Sequence, residues 1–540
     1  MTALLRRFQG GDEQAFDELL PMVYEELRRL ARSHRARLGG GGPRAPGTIS
    51  LVHEAYLRLI DQKGVDWQSR AQFYCIARAR VAAMAVDRGR KRRRGARRFV
   101  MQLRMAGWAM AMVALAAAPV GAENLALVGG RLIDGYGGAP LEDSVVVIEG
   151  ERIAAVGSLG EVAIPAGATV ISTEGMSVLP GLWDMHVHLM IVGHSDYDHW
   201  DRTYPDRWER EIMPAAAAQL LHAGVTSARD LGAPLETILA VRERIAKGEI
   251  AGPTLYVSGP FLQHRPYPGT EAFRWGIDGS EDARAKVDRL ADAGVDFVKL
   301  IDQDQMTMEE VHAIVDRAHQ RGLPVLAHAH RVEEIRRGIA AGVDGFEHTG
   351  LGTAPEYPAE VVTLLRERAN TLYWTPTLSP LLLYEYTRDN PERIDDPRWK
   401  VGLPADVVED VGSSLEHLER LEYYQLMPKR RPTLDSKFAQ LRESGVVLLI
   451  GTDSGVPLNF HSDATWRELD VWVNEFGVPA IDAIRAATYW PAVAQGVADR
   501  VGTLAEGKVA DVIAVRGDVL RHVALLQDVD LVIARGKRVR

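Results

Sequence analysis

The sequence predicts an α/β protein: a (β/α)8 TIM barrel with a small β-sandwich domain formed from both ends of the barrel part, preceded by an all-α N-terminal domain. Three observations predict it. Amphipathic stretches ending in glycine pass within a few residues into apolar strands, repeatedly, between Ala223 and Val446. Short alternating strands with Gly-rich turns bracket that region on both sides. Residues 1–98 instead place apolar side chains at helical spacing in a strongly basic segment. The 540 residues exceed one ordinary core, and 46% apolar with 25% charged residues is a soluble globular composition. The lone Cys75 excludes an internal disulfide framework and a thiolate zinc cage.

The helical segment comes first. Phe16, Leu19, Leu20, Val23 and Leu27, then Leu51, Ala55 and Leu57, recur at helical spacing, with Gly39 to Pro46 as a loop between them. Residues 1–98 carry 21 Lys and Arg against 10 Asp and Glu, a surplus of 11 positive charges, so a net charge of −9 leaves the remainder at −20. The run from Arg88 to Arg98 attracts phosphates or an anionic membrane surface, or serves as the positive flank of a membrane segment. The wording "LLRRFQGGDEQAFDELLPMVYEELRRLAR" and "LVHEAYLRLIDQKGVDWQSRAQFYCIARA" resembles region 2 of extracytoplasmic-function sigma factors. The resemblance implies RNA polymerase and promoter DNA as partners of 1–98. The sequence shows no second helix-turn-helix region of that family.

Residues 99–122 form a signal-peptide-like or membrane-anchor segment. The stretch from Met105 to Ala122 is uncharged, apolar all round and ends Ala118-Pro-Val-Gly-Ala122, which predicts secretory cleavage after Ala122. Left uncleaved, it reaches the lower length limit for spanning a bilayer. The chain from residue 123 onward is then periplasmic or secreted, and 1–98 cytoplasmic where translated. Placed so far inside the chain, this segment suggests a secreted form starting at Met101 or Met105, with the sigma-like part a fusion or an upstream start.

The third segment opens with strands at Leu125 to Val128, Ser144 to Glu149, Arg152 to Val156 and Thr169 to Ser172, then a single buried strand over 177–185. Glycines 224, 294, 322, 342 and 445 fit left-handed helix C-caps, each followed by an apolar strand. The helix before Gly322 has Val311, Ile314, Val315 and Ala318 on one face. Helix alternating with strand predicts parallel βαβ units closed into a barrel over 181–498. Strands at Asp511 to Arg516 and Val529 to Lys537 return, so that 499–540 pairs with 123–180 in the β-domain.

Active sites of such barrels lie at the C-terminal strand ends. His186 and His188 close the first strand, at i and i+2 on one face. His328 and His330, Glu347-His348, and Asp453 close later ones, and Lys299 sits inside the apolar run Val295 to Ile301. Imidazoles and carboxylates suit zinc and similar divalent ions. A buried ammonium tends to lose its proton, and the neutral amine can take up carbon dioxide as an anionic carbamate. Taken singly, each has a structural alternative: a core histidine, a snorkelling lysine, a helix cap at Asp453. His194, His199 and His222 stand outside this set.

The stretches "VLPGLWDMHVHL", "GVDFVKLI", "GLPVLAHAH", "AGVDGFEHTG", "LIGTDSG" and "GTLAEGKVADVIAV" resemble the amidohydrolase superfamily of metal-dependent hydrolases, in its imidazolonepropionase-like and prolidase-like branch. The resemblance implies His186, His188 and Asp453 on one metal ion, His328 and His348 on a second, and carboxylated Lys299 bridging them, with zinc the favoured metal. It further implies a metal-activated hydroxide cleaving the C–N bond of an amide, peptide or cyclic amide, with Asp453 as catalytic base and acid. His330 and His461 would face the substrate, and Arg265 and Tyr267 are candidates for binding an oxyanion or carboxylate. The loop from Gly259 to Tyr267 departs from the Gly-rich loop of that branch, which leaves the substrate class open. A homo-oligomer is expected. Two other readings fit the sequence: a membrane-tethered sigma-like regulator sensing through a hydrolase-like domain, and a mononuclear deaminase-like relative.

Overall fold

The computed structural model describes residues 124–349 and 352–540. The helical reading of 1–98 and the signal-like reading of 99–122 lie outside the described residues. From residue 124 the chain enters strands β1 (Leu125–Leu132), β2 (Leu141–Glu149), β3 (Arg152–Ser158), β4 (Thr169–Ser172) and β5 (Met176–Pro180). Then come β6 (Leu182–Val187), helices α1 (Tyr197–Thr203) and α2 (Met213–His222), β7 (Val225–Asp230), α3 (Leu235–Ala246) and β8 (Thr254–Val257). The short pair β9 (Phe261–Gln263) and β10 (Arg274–Gly276) precedes α4 (Gly279–Ala293), β11 (Val298–Leu300), α5 (Met308–Gln320), β12 (Val325–His328), α6 (Val332–Ala341) and β13 (Gly345–Glu347). Next are α7 (Ala359–Glu367), β14 (Tyr373–Thr375), α8 (Pro380–Asp389), α9 (Ala405–Ser414), α10 (Leu434–Ser444), β15 (Val447–Leu448) and α11 (Ala464–Asp470). Strands β16 (Val512–Arg516), β17 (Leu531–Ala534) and β18 (Lys537–Arg538) end the chain.

The architecture is α/β with parallel sheets. Strands β6, β7 and β8 pair in parallel, and so do β9 and β11 through β15 in order. Backbone hydrogen bonds link the two groups at both seams: Asp296 N to Val257 O at 2.8 Å on one side, Met185 N to Ile450 O at 3.0 Å and Asp453 N to His186 O at 2.7 Å on the other. Helix-to-strand turns behave as their glycines predict, with φ of +91°, +80°, +75°, +88° and +78° at Gly224, Gly294, Gly322, Gly342 and Gly445. Helix α5 starts in a capping box, Thr307 Oγ1 accepting from Glu310 N at 3.2 Å and Glu310 Oε2 from Thr307 N at 2.8 Å. It buries the expected Val311, Ile314, Val315 and Ala318.

The single strand expected over 177–185 is two strands in different sheets. Strand β5 pairs with β16 and β1, whereas β6 pairs with β7. Gly181 makes the crossing: its N–H donates to Asp511 O at 2.9 Å, and a Cβ there would fall 2.1 Å from Thr226 Oγ1. Both ends of the described chain enter one eight-stranded sheet, in the order β18-β17-β16-β5-β1-β2-β3 with β4 also on β1. The parts 123–180 and 499–540 are therefore joined through the antiparallel pairing of β5 with β16, while β1 pairs with β4 along its first half and with β5 at its end. Leu125, Val146, Ile148 and Ile153 pack in one cluster with Val178, Val512 and Ile533. On the opposite face Ile513, Val515 and Val532 join the large core around β6 and β7, which anchors this sheet to the rest.

Candidate metal centre

The strand ends bring together side chains far apart in sequence. Asp453 Oδ1 lies 3.4 Å from His186 Nε2 and 3.2 Å from His188 Nε2. The His348 ring is 4.7 Å, centre to centre, from both His186 and His328, and His328 is 4.3 Å from His330. Ligand-capable atoms of His186, His348 and Asp453 all lie within 4.8 Å of one another, as do those of His328, His330 and His348. Lys299 points from β11 with no exposed surface. Among the described residues its Nζ has no hydrogen-bond partner, nor have His186 Nε2 and His330 Nε2. Buried polar atoms left unpartnered are costly. Here they are electron-pair donors gathered at one place, as a divalent cation requires.

Electrostatics favour the ligating protonation states. Burial pushes His186, His328 and His348 well below the ordinary imidazole range and His330 to about 3, so all four are neutral near pH 7. Burial lowers the Lys299 amine to about 8. At Asp453 burial acts in the raising direction, but His186, His188 and Lys299 outweigh it and hold the carboxyl low. The four buried imidazoles are thus in their ligating form, and the Lys299 amine gives up its proton more readily than an exposed lysine.

A surrounding layer orients these donors. Glu347 Oε2 accepts from His186 Nδ1 at 2.8 Å, and its Oε1 accepts from Arg229 Nη2 at 3.2 Å. The bond to Glu347 fixes the tautomer that leaves His186 Nε2 free. His348 Nδ1 meets Thr377 Oγ1 at 2.9 Å. Asp184 accepts from Thr452 N at 3.0 Å, Thr452 Oγ1 at 2.7 Å and Thr465 Oγ1 at 2.8 Å, tying β6 to the segment that carries Asp453. His348, Thr377 and Asp453 have φ of +76°, +45° and +58°, a conformation that costs on the order of 1–3 kcal/mol per non-glycine residue. Such strain concentrates where side-chain direction matters more than backbone comfort.

A cavity of about 490 Å³ reaches this cluster. His188, His328, His330, His348, Thr377 and Asp453 line it, with Met190, Phe261, Phe273, Ile301, Leu381 and Val456 as apolar wall. Two expected substrate contacts need revision. Arg265 is exposed and outside the lining, although Tyr267, Thr270 and Phe273 of the same loop between β9 and β10 lie in it. Arg274 of β10 lies in the lining instead, its guanidinium 4.8, 5.1 and 5.5 Å from the ring centres of Tyr267, Phe261 and Phe273. His461 also lies outside the lining: it is buried, its Nε2 donating to His188 O at 3.2 Å, and supports the ligand loop from behind. Tyr267 does line the cavity, and His330 lies within the imidazole cluster.

Sequence reasoning assigns no role to Asp184, Arg229, Glu347 or Arg274. The first three carry a signal that it uses only for Lys299, a charged residue inside an apolar strand. His194 and His199, which the sequence leaves outside the metal set, converge on Asp410.

Residues 177–539 match the amidohydrolase family. The chain belongs to that family, whose members generally bind divalent metals. Residues 1–105 match the ECF sigma factor family. An imidazolonepropionase of Paenarthrobacter aurescens (strain TC1) is 32% identical over 160 residues, covering 29% of this chain and 32% of that protein. The chain thus spans about a third of that relative's length. A crystal structure of a Xaa-Pro dipeptidase with bound methionine superposes with a TM-score of 0.59 at 25% identity, covering 77% of this chain and 99% of that one. A. niger ochratoxinase gives a TM-score of 0.57 at 26% identity, over 77% and 96%. The amidohydrolase residues are similar to both hydrolases across nearly their whole length.

Proposed function

We propose that this chain hydrolyses the C–N bond of an amide, dipeptide or cyclic amide at a two-metal centre inside a closed (β/α)8 barrel. The seam hydrogen bonds on either side of β6-β7-β8 support the closure. His186, His188 and Asp453 would hold one zinc ion, His328 and His348 the second, and Lys299, carboxylated, would lie between them. The observation that carries the reading is Lys299: an amine with no exposure, no hydrogen-bond partner among the described residues, and a pKa lowered by burial to about 8. Neutral amine is what carbon dioxide requires, and a carbamate supplies the anion that the surrounding neutral imidazoles lack.

When bound, the ions acidify a water and polarise the carbonyl under attack. Asp453 is the proton carrier of this chain: ionised, with Oδ1 beside both His186 and His188, it takes a proton from water and returns it to the leaving nitrogen. Glu347 and Arg229 hold His186 in its ligating tautomer throughout. The wall of Phe261, Phe273, Ile301 and Leu381 suits an apolar substrate side chain, and Arg274 suits a carboxylate. The dipeptidase relative favours dipeptides within that class.

The test is hydrolysis by zinc-reconstituted full-length protein of dipeptides, N-acyl amino acids and cyclic amides, with and without chelator. Turnover of at least one class, lost on chelation and restored by zinc, is expected. Inactivity on every class with two metal equivalents bound would overturn the assignment. The family match over 1–105 motivates a second reading for that segment, core RNA polymerase as partner. A polymerase pull-down checks it. Export through 99–122 is proposed alongside, and fractionation that leaves the hydrolase part wholly cytoplasmic would remove it.

A further inference from the structure

Outside the strand-end centre, a second His/Asp group lies where the loop after β6 meets α9. Asp410 Oδ2 is 2.9 Å from His199 Nε2, 3.4 Å from His194 Nε2 and 2.8 Å from the Tyr204 hydroxyl that donates to it. The three ligand-capable atoms lie within 4.8 Å of one another. We propose that His194, His199 and Asp410 form a further divalent-metal site, suited to zinc, that pins α1 to α9 beside the cavity.

Three features carry it. Donors about 2.0 Å from a tetrahedral zinc ion are themselves about 3.3 Å apart. The 3.4 Å between His194 and Asp410 is long for an N–H···O bond yet fits that edge, whereas the 2.9 Å between His199 and Asp410 is a hydrogen-bond distance that would open by about 0.4 Å on binding. Next, His194 is buried, and its Nδ1 faces the Asp196 backbone, 3.0 Å from the carbonyl oxygen and 2.9 Å from the N–H. Donating to the carbonyl frees Nε2 for a metal; accepting from the N–H puts the proton on Nε2, toward Asp410. Both metal-bound and metal-free tautomers are therefore accommodated without moving the ring. Finally, the frame is preassembled: Asp196 Oδ1 accepts from His199 N at 2.9 Å, Ser195 N donates to Ser414 Oγ at 3.1 Å, and Ser195 Oγ donates to Ser414 O. Two imidazoles and one carboxylate leave a coordination position for water, with the Tyr204 hydroxyl beside it.

The site would act on the cavity through α1. That helix carries Tyr197, Asp198 and Asp201 into the lining, and His199 toward α9. A bound ion would hold this wall in place without touching the reacting atoms.

Metal analysis of zinc-saturated full-length protein tests the assignment independently of the strand-end centre. His199→Ala and Asp410→Asn should each bind one zinc equivalent fewer than the wild type, whatever the total. They should also show a smaller zinc-dependent rise in thermal midpoint than the wild type, the remainder coming from the strand-end centre. Equal zinc content in wild type and both variants would overturn the site. Should a variant fail to fold, the wild type decides by mass-spectrometric readout of diethyl pyrocarbonate modification: protection of His199 by zinc supports the site, and unchanged modification overturns it.

Discussion

Around Asp463 each buried charge meets an opposite one. Arg393 Nη2 and Arg467 Nη2 reach the same carboxylate oxygen at 2.9 and 3.0 Å, Arg393 Nη1 donates to Leu458 O at 2.8 Å, and Arg467 lies 4.1 Å from the centre of the Tyr386 ring. Around Lys299 the ammonium has no ion-pair partner among the described residues, and Lys299 Nζ, His186 Nε2 and His330 Nε2 lack hydrogen bonds. The atoms left without one at Asp463, its Oδ1 and the Nε of Arg393 and Arg467, belong instead to groups already paired through other atoms. Both clusters are buried, so burial alone does not separate structure from function. Compensation does: in a paired cluster attraction offsets the desolvation of each charge, whereas a group without a direct partner is kept at a cost that a bound ligand can offset.

Substitutions should split along that line. Lys299→Met is expected to abolish hydrolysis, by about 10³-fold or more in kcat/KM, and to lower bound metal, while leaving the thermal midpoint of the metal-free protein unchanged or raised. A metal-free protein that unfolds on this change would place Lys299 with the structural cluster. Asp463→Ala strands two buried guanidinium groups and should cost about 3–5 kcal/mol of stability in urea titrations. Wild-type stability there would break the comparison.

Acid titration separates Asp463 from His461 by pH window, since both lose stability as pH falls. At Asp463 burial raises the carboxyl, but Arg393 and Arg467 outweigh it and hold it at about 2. Its stabilisation is complete above the unfolded value of about 3.9 and is lost as pH falls toward 2. His461 is depressed by burial to about 3, so its contribution is complete above the unfolded value of about 6.5 and is lost between there and 3. Metal-free protein should therefore begin losing stability just below pH 6.5, well before Asp463 titrates. A flat denaturation midpoint from pH 7 to 4.5 would contradict this.

Smaller effects are expected farther from the ions. Glu347→Gln weakens the bond that sets the His186 tautomer and should reduce metal affinity about 10- to 100-fold, read by competition with a chromogenic chelator. Arg274→Met should raise KM for a carboxylate-bearing substrate severalfold, whereas Arg265→Met, outside the lining, should change it less. The reverse order would restore the role that the sequence suggests for Arg265.

Much of this is legible in the chain. Periodicity and glycine caps announce the strand and helix alternation, because the left-handed caps at Gly294 and Gly342 are local backbone requirements. Lys299 is legible because a lysine inside an apolar strand violates the pattern around it. Arg229 and Glu347 violate it equally, yet only the fold shows that they meet at His186. The break at Gly181 is hidden because strand propensity on both sides is continuous, and the break depends on Thr226 crowding it from another strand.

Short-range chemistry decides the α/β pattern, the helix ends, the donor types and their positions at strand ends. Tertiary structure alone decided which donors meet. It put Arg274 rather than Arg265 into the cavity, turned His461 behind the ligand loop, and joined His194 and His199 to Asp410 across more than two hundred residues. Contacts of that range depend on where whole elements pack, and no local periodicity encodes them.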